Sequence, residues 1–214
     1  MPIHVGFLAG YGNGEVSGTD IGTDTEAIPA SAFGGFASYW FSPTLGLQAE
    51  LMLSLRGGIQ GRSIDVYHQP SGYFAYHVDT RTEWHLSYIE LPVVIRLGRG
   101  DLVKPGGSGR NFSPFFEYGL SFGAKIDESS QDKVELMFPT WTPTPDATYD
   151  LDNPGFGTIE VSFVVGAGGE LQLGKGYITS QVRFRAGMGS IGGASERAQT
   201  RDILLLAGYG WVIH

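Results

Sequence analysis

Residues 45–60, LGLQAELMLSLRGGIQ, place Leu45, Leu47, Ala49, Leu51, Leu53 and Leu55 on one parity and Gly46, Gln48, Glu50, Met52, Ser54 and Arg56 on the other. Successive side chains of a strand point to opposite faces, so the segment predicts a strand with one hydrocarbon face and one polar, charged face. The alternation recurs along the chain. Residues 3–11 set Ile3, Val5, Phe7, Ala9 and Tyr11 against His4, Gly6, Leu8 and Gly10. Residues 32–41 predict a second strand whose facing stays open, because both parities hold aromatics. In residues 81–97, Trp84 and Leu86 lie on the parity opposite to Ile89, Leu91, Val93, Ile95 and Leu97. A β-bulge near Ser87-Tyr88 is therefore expected to return all of them to one outward face. Pro92 in the same strand calls for a bulge or an unpaired amide position. Residues 113–125, 158–173, 177–189 and 202–213 complete a set of eight strands, with a tight turn at Gly174-Lys175-Gly176.

Between the strands the period disappears. Long connections are expected near 12–31, 61–80, 127–157 and 189–201, and a medium glycine-rich one over 98–112. Because the alternation resumes after each of them, residues 1–214 are expected to form a single domain.

Alternation alone does not say which face is inside. A soluble sandwich or a lipocalin-like ligand-binding barrel would bury the leucines; a transmembrane barrel would show them to lipid and enclose the charges. Two features favour the second. The predicted strands run to about 12–16 residues, twice the usual length in soluble sheets and enough to cross a ~25 Å apolar band. The polar face also lacks a solvent surface's scatter of lysine and threonine, being mostly Gly, Ser and Gln with a few charges. Glu50, Glu90, Glu117, Glu160 and Glu170 then oppose Arg56, Arg96, Lys125, Arg183 and Arg185 inside the barrel. Five charges of each sign form a structural lattice that cancels, as burial demands. The expected lipid-facing wall includes Leu47, Leu51, Leu53, Leu55, Ile89, Leu91, Val93, Phe163, Val165, Leu205 and Trp211. Tyr39, Trp40, Phe41, Phe112, Tyr177, Tyr209 and Trp211 at one end, with Tyr11, Trp84 and Phe156 at the other, are expected to form two aromatic girdles.

Composition is consistent with an all-β chain: 33 glycines and 13% aromatics suit tight turns and packed barrel walls. The absence of cysteine removes disulfides and thiolate metal sites. A net charge of -8 argues against a general nucleic-acid binder. Much of that charge falls in the expected loops, at Asp20, Asp24, Glu26, Asp127, Glu128, Asp132, Asp146, Asp150 and Asp152, so an acidic outer rim is expected. No apolar run reaches the ~18 residues of a membrane helix, which excludes helical spans only. The opening MPIHVGF lacks a basic and then apolar leader, so the export signal of an envelope protein is expected to be missing from this sequence.

Read in order, LGLQAELMLSLRGG, LSYIELPVVIRLG, FSPFFEYGLSFGAKI, VSFVVGAGGELQLG and RDILLLAGYGW resemble the PorT-like outer-membrane β-barrel family. Its Leu-Gln-x-Glu-Leu strand is matched at residues 47–51, and its Tyr-hydrophobic-Glu-hydrophobic-Pro strand at 88–92. The resemblance implies an eight-stranded antiparallel up-and-down transmembrane barrel in a Gram-negative outer membrane. The named family member takes part in protein secretion, which makes a secretion-system component the alternative role. One departure is the end of the chain, where Trp211-Val212-Ile213 is followed by His214 rather than closing on an aromatic.

Catalytic and metal chemistry find little support. His4, His68, His77, His85 and His214 show no ligand spacing. Asp150-x-Asp152-Asn153 lacks the glycine and distal glutamate of a calcium loop. Ser54, Ser121 and Ser162 share the inward parity with the carboxylates, away from any histidine base. The expectation is a non-enzymatic, monomeric envelope barrel with a side-chain-filled lumen and no cofactor, metal or nucleic acid. Its partners are expected to be membrane lipid and lipopolysaccharide, with envelope or secretion-system proteins reached through the loops.

Overall fold

The computed structural model describes residues 3–18, 24–68, 73–98, 112–137, 158–188 and 198–213. Its strands are β1 (Ile3–Gly18), β2 (Asp24–Trp40), β3 (Leu45–His68), β4 (Tyr73–Gly98), β5 (Phe112–Met137), β6 (Ile159–Leu173), β7 (Gly176–Gly187) and β8 (Ala198–Ile213). They close into one barrel in sequence order. Every ladder is antiparallel, and β8 returns to β1 from Ile3↔Ile213 to Gly18↔Ala198.

The leucine face lies outside. Leu51 is 62% exposed and Leu205 60%, whereas Glu50 and Arg56 on the opposite parity are buried. A soluble sandwich or lipocalin-like barrel, which would enclose the leucines, is thereby overturned. Of the expected outer-wall residues, Leu47, Leu51, Leu55, Ile89, Leu91, Phe163, Val165, Leu205 and Trp211 are exposed, and Leu53 and Val93 half-buried on the same face. In β2 the ambiguity resolves with Phe33 outward and Phe36 inward.

The apolar wall has an abrupt upper edge. On β4 it runs from Leu97 to Ile89, about 30 Å of strand at ~3.3 Å per residue, or about 23 Å vertically at a tilt near 40°. Above it the outward positions are Ser87, His85, Glu83 and Arg81. The edge crosses to β5 between Ile126 and Asp127, where Asp127 pairs with Ser87, and on β8 it falls between Ile203 and Arg201. This height matches a ~25 Å apolar band.

Beyond that edge the strands continue, contrary to the expected loops. The segments expected as 12–31, 61–80 and 127–157 are strand as far as Gly18, from Asp24, to His68, from Tyr73 and to Met137. Likewise, Thr200 and Arg201 belong to β8 rather than to the 189–201 connection. A strand standing in water needs no apolar face, so polar sequence there hides regular pairing. Asp20, Asp146, Asp150, Asp152, Asn153 and Phe156 lie outside the described residues, as does most of 98–112.

Two irregularities differ in detail from the sequence reading. The register shift at Ser87/Tyr88 is present, but β4 keeps an unbroken parity and the extra residue is Ile126 of β5, between Lys125 opposite Tyr88 and Asp127 opposite Ser87. Trp84 and Leu86 consequently point inward and are buried. At Pro92, which has no N–H to donate, the β3–β4 ladder passes from Ala49↔Val93 to Met52↔Glu90 without changing register. At the short-turn end Gly174 adopts φ 62°, a conformation open to glycine, and β6 turns directly into β7.

The interior is also less small and polar than its composition suggests. Leu8, Ala30, Ala32, Phe36, Met52, Tyr177, Leu204 and Leu206 form an apolar cluster along the β1, β2 and β8 side. Val16, Trp84, Leu86 and Tyr88 form a second. Trp40, Tyr177 and Trp84 thus leave the expected aromatic girdles and face the lumen, because their parity is the inward one. Glycines on neighbouring strands make room for these rings: a Cβ at Gly6 would stand 2.6 Å from the Phe36 ring, and one at Gly210 would meet the Tyr177 ring. Gly6→Val should accordingly overpack this side, lowering stability by about 1–3 kcal/mol. Urea titration of the barrel in detergent micelles, followed by tryptophan fluorescence, measures the shift.

Candidate functional site

The polar parities of β3 to β8 converge on an ion lattice inside the barrel. Toward the short-turn end, Arg183 of β7 reaches across the lumen to Glu50 of β3 through two parallel hydrogen bonds, Nη1 to Oε2 at 2.7 Å and Nη2 to Oε1 at 2.6 Å. Its Nε donates to Glu117 Oε1 of β5 at 2.7 Å. Gln48 donates to Glu50 Oε1 at 2.6 Å, adding a third bond to that carboxylate. Arg96 of β4 donates to Glu170 of β6 at 2.7 Å, approaches Glu117 Oε2 at 3.7 Å, and stacks over the Phe115 ring at 3.6 Å. A planar guanidinium suits all three contacts, since it forks onto carboxylates and lies flat on aromatic faces.

A second layer lies toward the long-loop end. Arg56 of β3 donates to Glu160 of β6 at 3.1 Å and to Thr200 of β8 at 3.0 Å, and pairs with Glu90 of β4. Its guanidinium sits 4.4 Å from the Tyr88 ring centroid. Arg185 of β7 pairs with the other oxygen of Glu90, donates to Asp202 Oδ1 of β8 at 2.7 Å, and donates to Ser54 of β3 at 2.9 Å. Ser162 and Thr200 both donate to Glu160 Oε1. Glu90 is therefore held between two arginines from opposite sides of the barrel.

Of the ten residues expected in the lattice, nine are in it. Lys125 is the exception: it lies half-buried near the upper edge and pairs with Glu128 of its own strand. Asp202 takes a place that sequence reasoning missed, although the signal was available, since Ile203 and Leu205 face outward and Asp202 shares the opposite parity. Among the described residues the two layers hold four arginines and six carboxylates, so the expected one-to-one balance is not met by counting ions. The arginines are shared instead, each bonding more than one acceptor, and all ten side chains are at most 3% exposed.

The other candidate chemistries scatter. Ser54 and Ser162 are engaged in the lattice, and Ser121 is buried on β5. His4 is buried at the short-turn end beside Tyr177, with ring centroids 5.4 Å apart, and His85 is exposed above the apolar wall, 3.1 Å from Glu83. Among the described residues no group of three or more His, Cys, Asp or Glu side chains is placed to hold a metal.

What the lattice can do chemically is brace. Each of its carboxylates is paired with at least one guanidinium, and its charges are withdrawn from water, so each depends on its partner: losing one member of a buried pair costs about 3–5 kcal/mol. Arg183→Met should therefore destabilise the barrel by roughly that amount, and adding Glu50→Gln should cost less than the sum of the two single changes. Equilibrium urea unfolding of the three variants checks both expectations.

Residues 2–192 match the family described as outer membrane protein beta-barrel domain. Similar solved structures include Ail, the attachment invasion locus protein of Yersinia pestis, at 12% identity over 99% of this chain and 100% of that chain, with a TM-score of 0.42. Neisserial surface protein A is 11% identical over 98% and 96% of the two chains, with a TM-score of 0.44. OprG of Pseudomonas aeruginosa is 10% identical over 100% and 95%, with a TM-score of 0.41. A comparison with curated proteins returns no match. The match over nearly the whole length shows that the chain belongs to the outer membrane protein beta-barrel domain family, an eight-stranded barrel of the bacterial outer membrane.

Proposed function

We propose that the chain is a non-enzymatic, monomeric envelope barrel of the PorT-like branch, with a sealed lumen and its interactions confined to the long-loop end. The observation that carries this reading is the pair of cross-lumen ion layers. Arg183 to Glu50 and Arg185 to Glu90 span the interior between strands that are not neighbours, at side chains almost wholly removed from solvent. Val16, Trp84, Leu86 and Tyr88 add an apolar cluster at the same end as the upper layer. A lumen occupied in this way supports the sealed reading.

The same lattice supports the non-enzymatic reading. A carboxylate clamped between two guanidiniums is a poor general base, and Ser54 and Ser162 are occupied as hydrogen-bond partners within the lattice. With short turns toward the periplasm, as barrels of this type usually place them, β3, β4 and β5 extend outward above the apolar wall. Lipid and lipopolysaccharide then surround the wall, and envelope proteins meet the projecting strands.

Two measurements test the reading. In planar lipid bilayers the purified barrel should give no stable large-conductance channel; a sustained open pore would overturn the sealed lumen. In intact cells a cysteine at Ser129, exposed on β5 above the apolar edge, should react with a maleimide too large for porins. One at Lys175, in the β6–β7 turn, should react only after the membrane is opened.

A further inference from the structure

We propose that a groove on the outer wall at the long-loop end binds lipid A, the phosphorylated, acylated glycolipid of the outer leaflet. The groove is an open one of about 670 Å³ that lies across β1, β8 and β7, with Ala27 of β2 at its upper corner. This volume falls within the roughly 300–1,000 Å³ typical of small-molecule clefts. The cross-strand register arranges its lining in rows. In the lowest row Leu205 stands between Tyr11 and Val182, and all three are more than half exposed. In the next, Ile203 stands between Asn13 and Phe184. The top row is ionic, with Arg201 opposite Glu15.

Depth and charge select the occupant. The lower rows belong to the apolar band, whereas Arg201 is the first outward residue above it on β8. Tails and an anionic head are thus called for within one strand-residue pair of each other. Arg201 is half exposed, and its Nη1 lies 3.8 Å from Glu15 Oε1, too far for a hydrogen bond. Its guanidinium donors therefore remain available for a phosphate, which they match bidentately. On β4 the arrangement differs. Arg81 stands well above Ile89, separated from it by Ser87, His85 and Glu83, and is already engaged by Glu26 at 2.6 Å. Among the described residues, only the β8 side brings an arginine down to the edge of exposed hydrocarbon beside a groove.

This assignment rests on the orientation proposed above, which puts the groove in the outer leaflet, where lipid A supplies both acyl chains and phosphates. The test uses the full chain in detergent with bisphosphorylated lipid A, dephosphorylated lipid A and phosphatidylglycerol, bound lipid being read by native mass spectrometry. Bisphosphorylated lipid A should bind the wild type best. Arg201→Gln should weaken it about tenfold, the scale of one lost charge-assisted hydrogen bond, with Arg201→Lys keeping most of the affinity. Val182→Trp, or Val182→Phe if the larger ring prevents folding, should block the groove, and Leu91→Trp on the far wall should leave binding unchanged. Wild-type binding by both Arg201→Gln and the Val182 variant would overturn the assignment, as would equal binding of phosphatidylglycerol with the same variant dependence. Maleimide labelling of the same preparations in cells fails only if the orientation is wrong, so the two failures are distinguishable.

Discussion

A sheet that closes on itself must fill its own interior, and here the filling is done by guanidinium–carboxylate contacts that cross the lumen. Ladder hydrogen bonds join each strand only to its neighbours. Arg183–Glu50 joins β7 to β3, Arg185–Glu90 joins β7 to β4, and Arg56–Glu160 joins β3 to β6. These struts fix the cross-section in a way that pairing between adjacent strands cannot. They also explain the choice of arginine over lysine. Six carboxylates are served by four cations because a guanidinium presents five donors in a plane, and Arg185 alone bonds Asp202, Glu90 and Ser54. A lysine ammonium, with three donors and a tighter hydration shell, would leave more of these oxygens uncovered.

The lattice draws unevenly on the strands. Its strands are chiefly β3 to β7, while β1, β2 and β8 contribute Leu8, Phe36, Leu204 and Leu206. The apolar side gives the arginines a low-dielectric backing, which strengthens each correctly placed pair and penalises each missing one. Packing on that side depends on glycines such as Gly6 and Gly210, which let the rings of Phe36 and Tyr177 lie against backbone. Stability is consequently split between a polar network intolerant of deletion and an apolar packing intolerant of addition.

Both faces of the strands were legible in the sequence, because a period of two survives wherever one face meets hydrocarbon. Leu47 to Leu55, Ile89 to Leu97 and Ile203 to Ile213 announce themselves in this way. Where that constraint ends, legibility ends with it: residues 61–68 and 127–137 continue the same ladders, with one register shift at Val66/Tyr67, but in water either face can be polar. The same dependence explains the misplacement of Trp84 and Leu86. Their parity change was assigned to a bulge in their own strand, whereas the extra residue is Ile126 of the partner strand, and sequence does not show which side of a ladder carries the insertion. Asp202 stood at the start of the predicted strand 202–213 on the inward parity, but it was left out of a lattice whose charges already balanced at five of each sign. Cross-lumen partners were unreadable for a stronger reason: whether Arg183 meets Glu50 or Glu90 depends on the stagger of the closed barrel, a global quantity.

On the function proposed above, a barrel filled and braced in this way gives up its interior as a working surface. Its lower end offers short turns, and its wall offers hydrocarbon, so chemistry directed at other molecules is left to the upper edge and the strands above it. That edge is uneven. On the β3–β5 side the sheet continues far past the apolar band and carries Arg81, Glu83 and His85 on its outer face, while β6 begins only at Ile159, opposite Ala124. On the β7–β8–β1 side the apolar rows run directly into Arg201 and Glu15. One side carries polar strand well above the apolar wall, and on the other the wall ends at an ion pair.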